Sequence, residues 1–201
     1  DSFPRAPMSH PILQFFTKPD SVDLEGLSAY LDGLDHAGRV AATRQLTGRE
    51  QSRLFEAAQG FRPITLENFV PKDVPVLTEV IHDGRNTLPA FNFFQKRFAR
   101  PEGKTDELWG YNEGSTRWLV GPGYFVTRVS GPGEVVIDYY QIPPGKVSTW
   151  PEIQPNGRMF SRFVYYNMQD FMRGVSQHVT IGRAARNGKN MDAWFVLARE
   201  K

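Results

Sequence analysis

Hydrophobic residues in the first third of the chain recur at helical spacing. Four leucines follow one another at intervals of three, four and three residues: Leu24, Leu27, Leu31 and Leu34. This spacing predicts an amphipathic helix that begins after Asp20 or Ser21 as its N-cap. A second helix is predicted over residues 36–45, and a third begins at a capping box formed by Thr47 and Glu50. We therefore expect three short helices in a small N-terminal cluster.

The residues before these helices are rich in proline. Four prolines lie in this segment: Pro4, Pro7, Pro11 and Pro19. Because proline fixes φ and disfavours helical backbone at the residue before it, they exclude a continuous helix. The pattern predicts an extended arm that packs on the body through the apolar pairs at 12–13 and 15–16. Arm and helices together form the first of two predicted units, residues 1–60.

Beyond residue 60 apolar and polar positions alternate, which is typical of β-strands. Candidate strands cover residues 74–81, 108–111, 117–120, 124–129, 134–141, 160–166, 171–186 and 191–198. In residues 87–98, Phe91, Phe94 and Phe98 lie at spacings of three and four and predict a helix, with a strand as the alternative. The pattern predicts an α+β protein in which residues 61–201 form an antiparallel β-barrel or strongly curved sheet of about eight strands.

Turn residues separate several of these strands. The triplet Gly-Pro-Gly occurs at 121–123 and again at 131–133, where proline presets φ and the following glycine accepts a positive φ. Asn187 and Gly188 form the strongest short hairpin signal in the chain and are expected to join the last two strands.

Charge and composition narrow the classes of function. The net charge is +2, with four basic against seven acidic residues over 20–60 and 18 basic against 14 acidic from residue 61 onward. Neither part carries the positive field that phosphate binding needs, so we expect no nucleic-acid partner. No apolar run approaches the roughly 18 to 20 residues of a membrane-spanning helix, so a soluble protein is expected.

Other features leave the cellular context open. Cysteine is absent, which excludes disulfides and thiolate chemistry but does not settle the compartment. The cytoplasm is the preferred expectation. The chain begins at Asp1 without an initiator methionine, which indicates either a removed leader or a trimmed chain.

Small residues dominate one face of the predicted strand 171–186. Read as one strand, its second face carries Met172, Gly174, Ser176, His178, Thr180, Gly182 and Ala184. Small side chains leave space, so this face predicts a pocket for an apolar or amphipathic molecule on the concave side of the barrel. The expected ligand-binding residues are Ser176, His178, Thr180, Tyr139, Tyr165, Arg128, Trp150 and Trp194. The alternative is that this face packs against the predicted helix 87–98.

His178 is the candidate catalytic residue, because imidazole titrates near neutral pH and can act as a general base. An enzyme of the lyase, isomerase or hydrolase type would use it with charge stabilisers from Tyr139, Tyr165, Arg128 or Arg173. The four histidines are scattered, no pair has metal-ligand spacing, and no metal site is predicted. The sequence indicates no particular cofactor.

A connection rich in proline runs from residue 141 to residue 158 with Trp150 near its middle. A connection of this length is either a lid over the barrel mouth or a loop that Trp150 anchors to the body. In the strand 134–141, Asp138 is expected to form a cross-strand ion pair with Arg128 or Arg117. The third function considered is a protein-interaction or assembly module, including a homo-oligomer.

Overall fold

Eight antiparallel strands form a closed barrel in which each strand pairs with its neighbours in the sequence, and the last strand pairs with the first. The computed structural model describes residues 10–158 and 160–201, so the part of the predicted arm before residue 10 lies outside the described residues. The strands are β1 Val80–Asn86, β2 Phe93–Ala99, β3 Leu108–Glu113, β4 Phe125–Gly131, β5 Glu134–Asp138, β6 Met168–Gly174, β7 Val179–Arg186 and β8 Lys189–Arg199. The predicted fold class, an α+β protein with an eight-stranded antiparallel barrel, is confirmed.

Three helices pack on the outside of this barrel. They are α1 Leu24–Asp32, α2 His36–Thr43 and α3 Gly48–Ala57, and a 3₁₀ helix at Pro11–Phe16 precedes them. Asp23, and not Asp20 or Ser21, caps α1 by accepting from the Gly26 backbone N–H. The predicted capping box of Thr47 and Glu50 is present at α3. The apolar faces of these helices cover β7 and β8.

Alternation along β8 divides the molecule into an inner and an outer core. Phe195 and Leu197 belong to the cluster inside the barrel, whereas Val196 and Ala198 pack against the N-terminal helices. Successive side chains of a strand point to opposite faces, so one strand serves both cores.

One end of the barrel is closed by the segment that precedes β1. Ile64, Phe69 and Val70 are fully buried and belong to the interior cluster. Phe69 packs against Phe98, with ring centroids 5.2 Å apart, and against the ring of His82. Within the described residues, no helix is both long enough and apolar enough to span a membrane.

The predicted turns form at the second Gly-Pro-Gly triplet, which joins β4 to β5, and at Asn187-Gly188, whereas no turn forms at the first triplet, 121–123. Gly123 and Gly133 have φ values of 54° and 74°, as expected for the glycine after the proline of each triplet. Asn187 and Gly188 both have positive φ, at 50° and 73°, and join β7 to β8 as predicted. A two-residue turn with both φ values positive matches the twist of the strands it connects.

Two predicted strands are wrong. Residues 117–120 and 160–166 contain short helices, α4 Arg117–Val120 and α5 Ser161–Val164. Trp118 and Phe163 in these helices are 82% and 64% exposed. Because such side chains do not face a core, their spacing carries no information about a buried face.

The predicted helix over residues 87–98 is also wrong. The segment holds the β1–β2 turn and β2, and Phe91 at the turn has a φ of 54°. A spacing of four residues is even, so it places Phe94 and Phe98 on one face of a strand as well as on one face of a helix. The spacing could not distinguish the two structures.

The boundaries of two further predicted strands need correction. The segment 171–186 is not one strand: β6 ends at Gly174 and β7 begins at Val179, with a turn between them. The predicted strand 74–81 is a strand only in its last two residues, because β1 begins at Val80.

Candidate functional site

A cavity of about 500 Å³ lies inside the barrel, between the closed end and the opposite end. Hydrocarbon forms most of its lining, with Phe94, Met168, Ala184, Ala193 and Phe195 among the wall residues. We define the mouth as the end formed by the β1–β2, β3–β4 and β5–β6 connections. The Leu88, Leu119 and Val164 side chains reach the cavity from these connections.

Four polar side chains meet inside the barrel and line the cavity. We call this set, Lys96, Asp170, Asn112 and Tyr139, the floor cluster. Lys96 Nζ lies 3.2 Å from Asp170 Oδ2 and donates to Asn112 Oδ1 at 2.9 Å and to the Tyr139 hydroxyl. Asn112 Nδ2 in turn donates to the Tyr139 hydroxyl at 3.1 Å. The three donors of the ammonium group therefore face three acceptors.

Strand alternation places these groups inside the barrel. Lys96 lies between Phe94 and Phe98 on the inner face of β2, and Asp170 lies between Met168 and Met172 on the inner face of β6. β2 and β6 are not neighbours in the sheet, so the ion pair crosses the barrel interior. Asn112 is the register partner of Lys96 on β3.

The interior has strong effects on the titration of these groups. The side chains of Lys96 and Asp170 are 3% and 6% exposed. Burial lowers the pKa of Lys96 and raises the pKa of Asp170, and the charge of each partner opposes the shift of the other. Burial also raises the pKa of Tyr139 well above its usual value, so its hydroxyl stays protonated.

Aromatic rings surround the ammonium group. Lys96 Nζ lies 5.0 to 5.6 Å from the centroids of four rings, those of Phe94, Phe125, Tyr139 and Phe195. The electron-rich faces of such rings attract a cation. Tyr139 stacks on Tyr165 with centroids 5.4 Å apart, and Tyr165 lines the cavity on the mouth side.

The rim of the mouth exposes apolar side chains to solvent. Phe91 on the β1–β2 turn is 68% exposed, and Phe163 on α5 is 64% exposed. Arg186 on β7 donates to the Phe163 carbonyl oxygen at 2.7 Å and holds α5 at the rim. The mouth therefore joins an exposed apolar rim to a largely apolar cavity.

The structure brings only part of the predicted site together. Tyr139, Tyr165 and Trp194 line the cavity. Arg128 lies on the outer face of β4 and forms the predicted cross-strand pair with Asp138 at 3.4 Å. Trp150 is also outside the barrel, where it anchors the 141–158 connection by packing against the Tyr111 and Tyr124 rings.

The face of small residues is not hollow. A Cβ atom on Gly182 would lie 2.5 Å from the Phe195 ring and 2.6 Å from Met172 Sδ. A Cβ on Gly174 would lie 2.7 Å from a methyl group of Ile64. Of this face, Ala184 lines the cavity, whereas neighbouring side chains fill the space at Gly174 and Gly182, so the cavity lies nearer the mouth than predicted.

Ser176, His178 and Thr180 lie in or next to the β6–β7 turn, away from the cavity lining. His178 Nδ1 is 3.2 Å from Arg199 Nη2. Partial burial and the charge of Arg199 lower the pKa of His178. Arg173, the other charge stabiliser considered, lies outside the barrel, where Nη1 donates to the Phe55 carbonyl at 2.7 Å. The catalytic arrangement around His178 is not formed.

Sequence reasoning missed Lys96, Asp170 and Asn112. A signal was present for the two charged residues: each has large apolar residues two positions before and two positions after it. In a strand these positions share one face, so a charge between them must enter a core. Within the described ranges, no three histidine, aspartate or glutamate side chains come together in a metal-binding group.

Fold and site together define an eight-stranded antiparallel barrel with an internal, largely apolar cavity. No family model matches the chain, and no curated protein matches it. Among solved structures it is similar to a mutant of the vaccine antigen transferrin binding protein B from Actinobacillus pleuropneumoniae, with 10% identity and a TM-score of 0.31. The match covers 64% of this chain and 64% of the transferrin binding protein B chain, so this chain spans less than two thirds of the length of that structure.

Proposed function

We propose that the protein binds one small apolar or amphipathic molecule inside the barrel. The observation that carries this proposal is the cavity of about 500 Å³ with hydrocarbon walls and an apolar rim. Pockets for small molecules span roughly 300 to 1,000 Å³ and combine apolar walls with a few polar groups. Both ingredients are present.

The floor cluster favours a ligand with one polar end. Lys96 and Asp170 carry opposite charges, and Asn112 and Tyr139 add neutral hydrogen-bonding groups. A polar group of the ligand would find donors and acceptors at the floor, while its apolar part fills the space between floor and mouth. This orientation places the polar end innermost.

The enzyme hypothesis based on His178 receives no support from the site. His178 does not line the cavity, and the tyrosines that were expected beside it line the cavity instead. A general base must come within hydrogen-bond reach of the group from which it takes a proton.

Titration with the neutral fluorophore N-phenyl-1-naphthylamine tests the binding proposal. We expect enhanced, saturable fluorescence with one site per chain. Ala184→Phe adds a ring to the cavity wall and should abolish this signal, whereas Val129→Phe adds the same ring at a position that is 53% exposed and should leave it intact. Absence of saturable binding, or equal loss in both variants, would contradict the proposal.

A further inference from the structure

We infer that the cavity accepts a ligand with an aldehyde or ketone group, and that Lys96 Nζ adds to this carbonyl carbon to form an imine. The inference rests on the proposed function, because the ligand must first enter the cavity. It deepens that proposal by naming the reactive group of the ligand and the atom with which it reacts.

Lys96 has the position that this chemistry needs. Among the described residues that line the cavity, it is the one lysine, and it extends from the inner face of β2. A carbonyl group that leads its ligand into the cavity would arrive at Nζ at the floor. The other lysines lie outside the lining.

The surroundings also favour the reactive form of the amine. Only a neutral amine has the lone pair that attacks a carbonyl carbon, and desolvation of a lysine increases the fraction of this form. Burial lowers the pKa of Lys96. Asp170, 3.2 Å from Nζ, provides a carboxylate that can accept the ammonium proton.

The reaction needs no oxidant or reductant. The Nζ lone pair forms a C–N bond and the carbonyl π electrons move to oxygen. The nitrogen then loses one proton, for which the Asp170 carboxylate is the nearby acceptor, and the oxygen gains one proton to give a neutral carbinolamine. The C–O bond then breaks, the oxygen leaves as water after a second proton transfer, and the nitrogen lone pair forms the C=N bond. The Tyr139 hydroxyl is a hydrogen-bond partner of Lys96 Nζ and stays protonated. It can therefore donate a hydrogen bond to the carbonyl oxygen of the ligand.

The charge balance of the floor favours a neutral carbonyl over a carboxylate. Lys96 and Asp170 already neutralise each other, so a ligand carboxylate would place two negative charges beside one positive charge in a desolvated site. An imine retains a single nitrogen at this position. When it is protonated, Asp170 remains its counter-ion and the four surrounding rings still face a cation.

Reductive trapping tests this inference with decanal as the probe and 1-decanol as its matched analogue without a carbonyl. The folded protein is incubated with decanal and sodium cyanoborohydride at pH 7, and the lysines are then compared by peptide mapping. Trapping should add the mass of decanal less one oxygen atom. A lowered pKa increases the neutral fraction of a lysine, and the cavity brings the aldehyde to Lys96 Nζ, so Lys96 should be labelled several-fold more than the exposed Lys189.

Two comparisons separate the outcomes. Lys96→Arg should lose this label, whereas Lys189→Arg should keep it. If Lys96→Arg does not fold, peptide mapping of the trapped wild-type protein still compares Lys96 with Lys189 in a single folded sample. If decanal and decanol both displace N-phenyl-1-naphthylamine but Lys96 is labelled no more than Lys189, the imine inference is overturned and the binding proposal stands. If the fluorophore itself does not bind, the proposed function fails first.

Discussion

Removing either partner of the Lys96–Asp170 pair should destabilise the protein strongly. Both side chains are nearly inaccessible to water and lie 3.2 Å apart across the barrel interior, so each variant leaves one buried charge without its partner. Such a loss costs about 3 to 5 kcal/mol. The remaining group can instead become neutral, so the free energy of neutralising it at pH 7 is an upper limit on the destabilisation. This limit is about 4 kcal/mol for protonating the Asp170 carboxyl in Lys96→Met and about 5 kcal/mol for deprotonating the Lys96 amine in Asp170→Asn.

The two single variants should respond to pH in opposite directions. In Lys96→Met, the pKa of Asp170 in the folded state is raised above its value in the unfolded state. Stability relative to the wild type therefore falls as pH rises from the unfolded-state pKa to the folded-state pKa. In Asp170→Asn, the pKa of Lys96 is lowered below its unfolded value, so relative stability increases as pH rises toward the unfolded pKa. Each slope is at most about 1.4 kcal/mol per pH unit.

Urea unfolding at several values between pH 5 and pH 9 measures these differences. The double variant Lys96→Met with Asp170→Leu removes both charges, and it should recover most of the stability lost in either single variant, because a buried pair can be replaced by apolar residues at small cost. Additive losses in the double variant, or pH slopes of the same sign in both single variants, would refute the electrostatic interpretation of the floor cluster.

Two further variants test other parts of the structure. Burial lowers the pKa of His82 from 6.5 to about 3, so the wild type should lose up to about 1.4 kcal/mol per unit as pH falls below 6.5. His82→Phe keeps a ring and removes this titration, so its urea-unfolding profile should be flatter; parallel profiles would contradict the assignment. Gly182→Ala should cost about 1 to 3 kcal/mol, because its new Cβ meets Met172 and Phe195. Gly131→Ala, in open space, is its control, and equal Tm values for the two variants would show that the small-residue face is not filled.

The sequence predicted the architecture better than the site. Alternation and turn chemistry depend on local backbone geometry, so the curved antiparallel sheet and the Asn187-Gly188 hairpin were within reach. The strand count agreed because two false strands offset the missed β2 and the undivided segment 171–186. What fills the space above a small residue depends on its cross-strand partner. Gly182 lies opposite Phe195 in the β7–β8 register, and the Phe195 ring covers the glycine.

The floor cluster shows a second limit. Lys96 and Asp170 lie on strands that do not pair with each other, and 73 residues separate them in the sequence. Local patterns could have shown that each charge faces inward, but only closure of the barrel brings the two together. Residues that meet across a barrel interior are not related by any short spacing in the chain.

The position of β8 has a consequence for synthesis of the chain. This strand pairs with both β7 and β1, and its outer face supports the N-terminal helices. Until residues 189–199 have left the ribosome, the nascent sheet has two unpaired edges and the helices lack much of the surface on which they pack. Closure joins strands that are far apart in the sequence and is therefore slow relative to hairpin formation. Of the eight described strands, β8 is translated after the other seven, and it completes both the barrel and the helical layer.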